Sequence, residues 1–352
     1  MDRIWWEKVP NAMAFVQDVT ESLLSEKSVI LQSEQGIPWH ESMVSQIKES
    51  VMQQNSSKRF EIIRHVDEPG RYLLQEFCKP EKRATYRPTK TFASFFAESD
   101  DIVLHTRYLW VYVSSAEELE KWSSFAADYI KARGKNKETA VFVLEWQGEK
   151  VKKSRKGIRI ISFEDYINEY DHMVFSMLAS SSVRESVEVK NYLAELASNI
   201  AGNDIELSAA CVKKYKEFLR DPHAVIIEII KNERRSNGAG FIYSSTREKI
   251  EYGIWRAQIK SIYPLIEAYR GAFVKKYSAA ISEGLPITSA YGDVYSDAKD
   301  VELGTLVYMV DNGEVSIPNK EHNKLKLFKD ARNKLSHLSV LSLAEIQMLL
   351  DK

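Results

Sequence analysis

The chain has 352 residues, 44% hydrophobic and 28% charged, enough for two ordinary domains that each bury a core. Its 49 basic and 50 acidic residues leave a formal net charge of -1, which excludes a whole-molecule field pulling it toward nucleic acid or anionic lipid. Two distant cysteines, Cys78 and Cys211, exclude a disulfide framework and a Cys-x-x-Cys zinc site, and a reducing, cytoplasmic location is expected.

In chain order, Phe15, Val19, Leu23 and Leu24 recur at helical spacing and predict a helix over 11–26. The first residues carry Asp2 and Glu7 and no unbroken apolar stretch, so no signal peptide is expected. Nor does any run approach the ~20 apolar residues of a membrane span, so no membrane partner is expected. Residues 28–32 read as a short buried strand; a loop with Gly36 and Pro38 follows, and 39–52 is again helical. A second strand is predicted at 60–64, then a helix over 70–97 broken around Pro80 to Pro88. Strands follow at 109–113, 140–144 and 158–161, with a helix over 116–133 opened by a capping box of Ser115 and Glu118. After one more helix to residue 178, Ser180-Ser-Ser182 marks a boundary. Strands alternating with helices predict a mostly parallel α/β sheet domain over 1–180.

Beyond it the strand signal fades, and residues 184–352 read as an all-α domain. Helices are predicted over 187–200, 208–220, 222–234, 246–283, 300–311 and 321–337. A last one follows Ser342, which forms a second capping box with Glu345. Residues 237–240 and 284–286 read as loops.

The strand at 28–32, its loop and the helix behind it resemble the phosphate-binding unit of a P-loop, AAA-like ATPase core. The loop reads Ser33-Glu-Gln-Gly-Ile-Pro-Trp-His-Glu-Ser42, with one glycine, a proline that removes an amide donor, two glutamates and no lysine. Phosphates need glycine-freed amides and a lysine, and the glutamates would repel them. The acidic pair expected after the third strand is absent too, since Ser114 and Ser115 follow Val113. The resemblance implies a degenerate core lacking a Walker A motif, kept for docking a partner such as a true ATPase.

Two further features lie in this half. Glu145, with Asp128 as a second carboxylate, could hold Mg²⁺ in a nuclease-like site; a solvated strand end is the simpler reading. The run 149–157 holds Lys150, Lys152, Lys153, Arg155 and Lys156, expected at a hairpin tip where they could meet nucleic-acid phosphates or simply be solvated.

The residues with the clearest chemistry stand near the end: Leu325-Lys-Leu-Phe-Lys-Asp-Ala-Arg-Asn-Lys-Leu-Ser-His337, behind the helical segments 255–270 and 301–310. A helical bundle whose late helix ends in Arg-polar-x-x-x-His resembles the HEPN family over roughly the last hundred residues. That resemblance implies metal-independent RNA cleavage at a site composed across a homodimer, with no cofactor. Attack of a 2′-hydroxyl on the adjacent phosphate needs a group that titrates near neutrality, as His337 does. It also needs a fixed cation beside the transition state, the part of Arg332. Asn333 could orient either group, and Glu302 is a candidate partner for His337 or Arg332.

On an ideal helix Arg332 and His337, five apart, diverge by roughly 140°. One chain would not pinch a phosphate between them, so geometry also points to a homodimer. The alternative for both residues is to cap and solvate a helix C-terminus, where cations meet the dipole favourably. Tyr263, Phe273 and Tyr277 are expected in the core. His40, His65, His105, His172, His223 and His322 are scattered, and no metal site is expected. The resemblance as a whole implies an RNA-cutting effector of a bacterial antiviral defence or toxin system, restrained through its N-terminal domain. The alternative is a non-catalytic dimeric adaptor.

Overall fold

A computed structural model describes residues 1–98, 104–134, 137–153, 155–289 and 292–350. It divides into two compact units, Met1–Asp171 and His172–Lys352.

The first unit opens with α1 (Asp2–Lys8), a helix the sequence reading left out, and α2 (Pro10–Leu24). It continues through β1 (Ser28–Ser33), α3 (His40–Gln54), β2 (Arg59–Arg64), α4 (Pro69–Phe77), α5 (Pro80–Arg83) and α6 (Phe92–Glu98). β3 (Arg107–Val113), α7 (Ala116–Arg133), β4 (Val141–Gln147) and β5 (Ile158–Ser162) complete the sheet, and α8 (Glu169–Ser181) runs across the division. The five strands lie in the order β2-β3-β4-β1-β5, every pair parallel.

Alternation along the strands sorts residues onto two faces. Ile30, Ile63, Leu109, Val111, Phe142 and Leu144 join Phe96, Trp122, Phe125 and Tyr129 in one core under α6 and α7. Val29, Leu31, Tyr108, Trp110 and Val143, all fully buried, fall on the other face, where α2 meets β1 and α3 meets β2. β1 is buried at all six positions, as a central parallel strand must be.

Because β4 and β5 both run parallel to β1 and flank it, the segment between them crosses over β1. The basic run is therefore no hairpin tip. A hairpin would reverse the strand direction, and parallel pairing requires the chain to return along the sheet. The Val151 amide donates to Gln32 Oε1 at 2.9 Å on the way. Ser154, within the run, lies outside the described residues.

The second unit continues with α9 (Val187–Ala201), α10 (Ile205–Lys213), α11 (Tyr215–Arg220), α12 (Pro222–Asn232), α13 (Arg247–Ser261), α14 (Tyr263–Lys276) and α15 (Ser278–Glu283). A two-stranded antiparallel ribbon follows, β6 (Ile287–Thr288) with β7 (Val294–Tyr295). α16 (Leu303–Asp311), α17 (Asn319–Ser336) and α18 (Leu343–Leu350) end the unit.

The helix expected over 246–283 is three helices. Pro264, in the first turn of α14, has no N–H for the helical ladder and its ring crowds the preceding turn. The ribbon interrupts a region read as purely helical; two residues per strand are too few to show alternation. α9, α10, α12 and α13 bury Leu193, Leu196, Cys211, Ile229 and Ala257. α16 packs on α17, and Phe328 of α17 stacks on Tyr269 of α14 with centroids 3.8 Å apart.

Candidate functional site at the end of α17

α17 turns Leu325, Phe328, Ala331 and Leu335 into the unit's core, a spacing that gives the helix one buried stripe. Arg332 follows Ala331 at the edge of that stripe. Its Nη2 donates to Glu302 Oε2 at 2.9 Å, and its Nη1 reaches Asn333 Oδ1 at 3.5 Å. Glu302 is the N-cap residue of α16, yet its carboxylate caps no helical amide and is given to Arg332 instead.

Arg332 and Glu302 share the lining of a cleft of about 400 Å³ with Tyr263, Glu267, Arg270, Lys299, Asp300 and Leu303. Three cations face three carboxylates there. Arg270 is tied down at two of its three nitrogens: Nε donates to Glu267 at 2.8 Å, and Nη1 to the carbonyls of Lys299 at 2.8 Å and Val301 at 3.3 Å. It thereby fixes the backbone that presents Lys299 and Glu302. The Lys299 ammonium makes no ion pair among the described residues. Beside the cleft, burial and the Glu302 carboxylate push the Tyr295 phenol up.

His337 is the C-cap of α17, with φ −103° and ψ 28°, and the next residue, Leu338, takes φ 60°. The Leu338 amide donates to the Leu335 carbonyl and the Ser339 amide to that of Lys334, a helix-ending motif that normally uses glycine. Left-handed backbone at a branched residue costs roughly 1–2 kcal/mol, so the surroundings must hold it. They do so from both sides. Trp255 Nε1 donates to the Leu335 carbonyl at 2.7 Å. The Gln258 amide pairs with both backbone groups of Leu341, at 2.7 and 2.8 Å. His337 thus stands on a braced segment, exposed, its ring making no hydrogen bond among the described residues.

The structure brings Arg332, Asn333 and Glu302 together and leaves His337 outside the cleft, as five residues of helix dictate. Of the two partners considered for Glu302, Arg332 is the one it meets. Tyr263, expected in the core, lines the cleft, whereas Phe273 is buried and Tyr277 half-buried. Lys299 and Arg270 escaped sequence reading because they sit on other elements, Arg270 on α14 and Lys299 on the short turn before α16. The one cue was a cation just ahead of a helix start.

In the first unit Lys150 pairs with Asp165 at 2.7 Å and Arg155 pairs with Glu120, leaving Lys152, Lys153 and Lys156 exposed without a carboxylate partner among the described residues. Glu145 accepts from Trp110 Nε1 at 2.6 Å and pairs with His40 Nε2 at 2.8 Å on the α3 side of the sheet. Asp128 is exposed on α7, which covers the opposite face, so strand alternation separates the two carboxylates expected to share Mg²⁺. Among the described residues, no group of three His, Cys, Asp or Glu side chains could hold a metal ion. Both cysteines are buried, and burial pushes their thiols up, away from the nucleophilic thiolate.

No protein-family model and no curated protein matches the chain. Among the described residues no helix is long and apolar enough to cross a membrane.

Proposed function

We propose that the second unit is a HEPN-like ribonuclease domain that cleaves RNA without metal, through Arg332 and His337, at a site completed by a second copy of the chain. What supports this reading is that the one ion pair of Arg332, with Glu302, is partly exposed and the His337 ring has no partner among the described residues. Arg332 turns away from its own helix end to line a polar cleft, and His337 projects into solvent from a braced helix terminus. A histidine that merely capped α17 would engage its last carbonyls. Here those carbonyls are taken by the Leu338 and Ser339 amides and the Trp255 indole.

The chemistry follows from the residue types. His337 would take the proton of the 2′-hydroxyl or give one to the leaving 5′-oxygen, Arg332 would balance the charge gathering on the phosphorane, and Asn333 would orient the guanidinium. The product would end in a 2′,3′-cyclic phosphate. Separation of the two residues in one chain favours a pair of chains. In this reading each chain supplies one half of the pinch.

The first unit serves in this proposal as a degenerate P-loop-like domain that docks a partner and restrains cleavage, in an effector of bacterial defence or of a toxin system. With β1 between β4 and β5, the loop after β1 lies at the sheet's switch point, where α/β proteins bind ligands. That loop is occupied by the chain itself: its Glu34 amide donates to Glu164 at 2.7 Å, and His40 closes on Glu145. The same observation favours the second reading, a non-catalytic adaptor.

Incubation of labelled single-stranded RNA with the purified chain, with and without EDTA, tests both. Cleavage that survives EDTA and is lost by at least a hundredfold in Arg332→Ala and His337→Ala is expected. Equal cleavage by the variants would refute the Arg332–His337 site, and none under any condition while a partner protein co-purifies would leave the adaptor.

A further inference from the structure

We infer that Glu302 is an internal stand-in for the RNA phosphate, holding Arg332 until a phosphodiester displaces it into the cleft beside Lys299. The inference rests on the proposed function and adds how the same site is regulated. Arg332 and Glu302 form a single-contact ion pair at 2.9 Å, with the side chains 31% and 53% exposed. Exposed pairs of this kind contribute little, because water and salt screen them. A phosphodiester offers two oxygens to the planar guanidinium and can make the stronger two-point contact. The exchange therefore runs toward phosphate when RNA is present and back to Glu302 when it is not.

The rest of the cleft fits that exchange. Arg270 is held as a strut through Nε and Nη1, on Glu267 and on the Lys299 and Val301 carbonyls, so its Nη2 alone remains to meet a ligand. The same strut fixes the backbone of Lys299, which lines the cleft and whose ammonium has no ion partner among the described residues. With Glu302 in place the lining is balanced, three cations to three carboxylates. Once the carboxylate swings out, Arg332 and Lys299 can face one phosphate, in a cleft that the Nη2 edge of Arg270 also lines. A weak pair suits this use, since a strong one would exclude the substrate.

The test uses the full chain and a fluorescent single-stranded RNA with 2′-O-methyl groups, so that cleavage cannot intrude. Glu302→Gln is expected to bind it roughly five-fold more tightly at low salt. The slope of log K against log salt should stay near that of wild type, because Arg332 meets the same phosphate in both complexes. Glu302→Ser removes the same charge and adds a hydroxyl cap to α16, so it should gain affinity and melt no lower than wild type. Arg332→Ala should weaken binding, and Glu302→Gln/Arg332→Ala should bind like Arg332→Ala alone.

If both Glu302 variants bind no better than wild type while Arg332→Ala still weakens binding, the stand-in is refuted and the proposed function survives. A gain that persists in the double variant would also refute it, because it would be a general charge effect. Unchanged binding by Arg332→Ala would overturn both.

Discussion

Asp18 illustrates how single residues tie this chain together. Its carboxylate takes two N–H donors from Arg159, at 2.6 and 2.7 Å, and the Tyr166 hydroxyl, joining α2 to β5 and the segment behind it. Burial alone would push the Asp18 carboxyl up, but the bonds from Arg159 and Tyr166 prevail and hold it below its usual 3.8. A carboxyl depressed in the folded state contributes stability that is complete above its ordinary value and is lost as pH falls through the lower folded one. Urea midpoints should therefore drop below about pH 4, and Asp18→Asn should start lower at neutral pH with a flatter acid limb. An acid limb as steep as that of wild type would show that other carboxylates carry the effect. Glu302 was picked out from sequence as a partner for Arg332 or His337 on the preceding helix, and the structure places it at that helix's N-cap, on Arg332. Arg270 and Lys299 could not be picked out, since charge alone does not say which carbonyl a guanidinium will reach.

At the scale of elements, local chemistry was the most legible. Ser342 and Glu345 bond reciprocally at 2.9 and 3.3 Å, so the second capping box is complete, whereas of the first only the Ser115 half forms, its hydroxyl accepting from the Glu118 amide at 3.1 Å. Glu118 turns its carboxylate to donors other than the Ser115 amide. It is 1% exposed, and its carboxylate accepts from the Val66 amide and from the amide and hydroxyl of Ser114, joining the loop after β2 to the start of α7. Glu118→Ala strands those part-buried donors, at a cost of ~1–3 kcal/mol. Chemical denaturation should show this loss, several times that of Ser115→Ala; a change within a few tenths of a kcal/mol would mean that water replaces the carboxylate. Elements failed where a break depended on one residue's backbone. Pro264 splits a run whose apolar periodicity continues across it, and Leu338 ends α17 in a left-handed conformation that no glycine announces.

For the whole molecule, the proposed site makes a prediction about mass. Arg332 and His337 diverge on one helix, so the composite site requires two chains, and light scattering at micromolar concentration should give twice the chain's mass. A monomer at that concentration, active on RNA, would mean that one chain supplies both groups after a local rearrangement. What the sequence by itself determined was composition by unit: buried parallel strands and helices in the first, helices in the second. Those follow from apolar periodicity and end signals, which act over a few residues. Tertiary structure alone decided the rest, because it turns on groups distant in the chain. Parallel pairing to β1 converted a supposed basic hairpin into a crossover. Strand alternation put Glu145 and Asp128 on opposite faces. The meeting of α14, α16 and α17 assembled the Arg332 cleft from elements about 60 residues apart, and no pattern of neighbours encodes a charge meeting of that range.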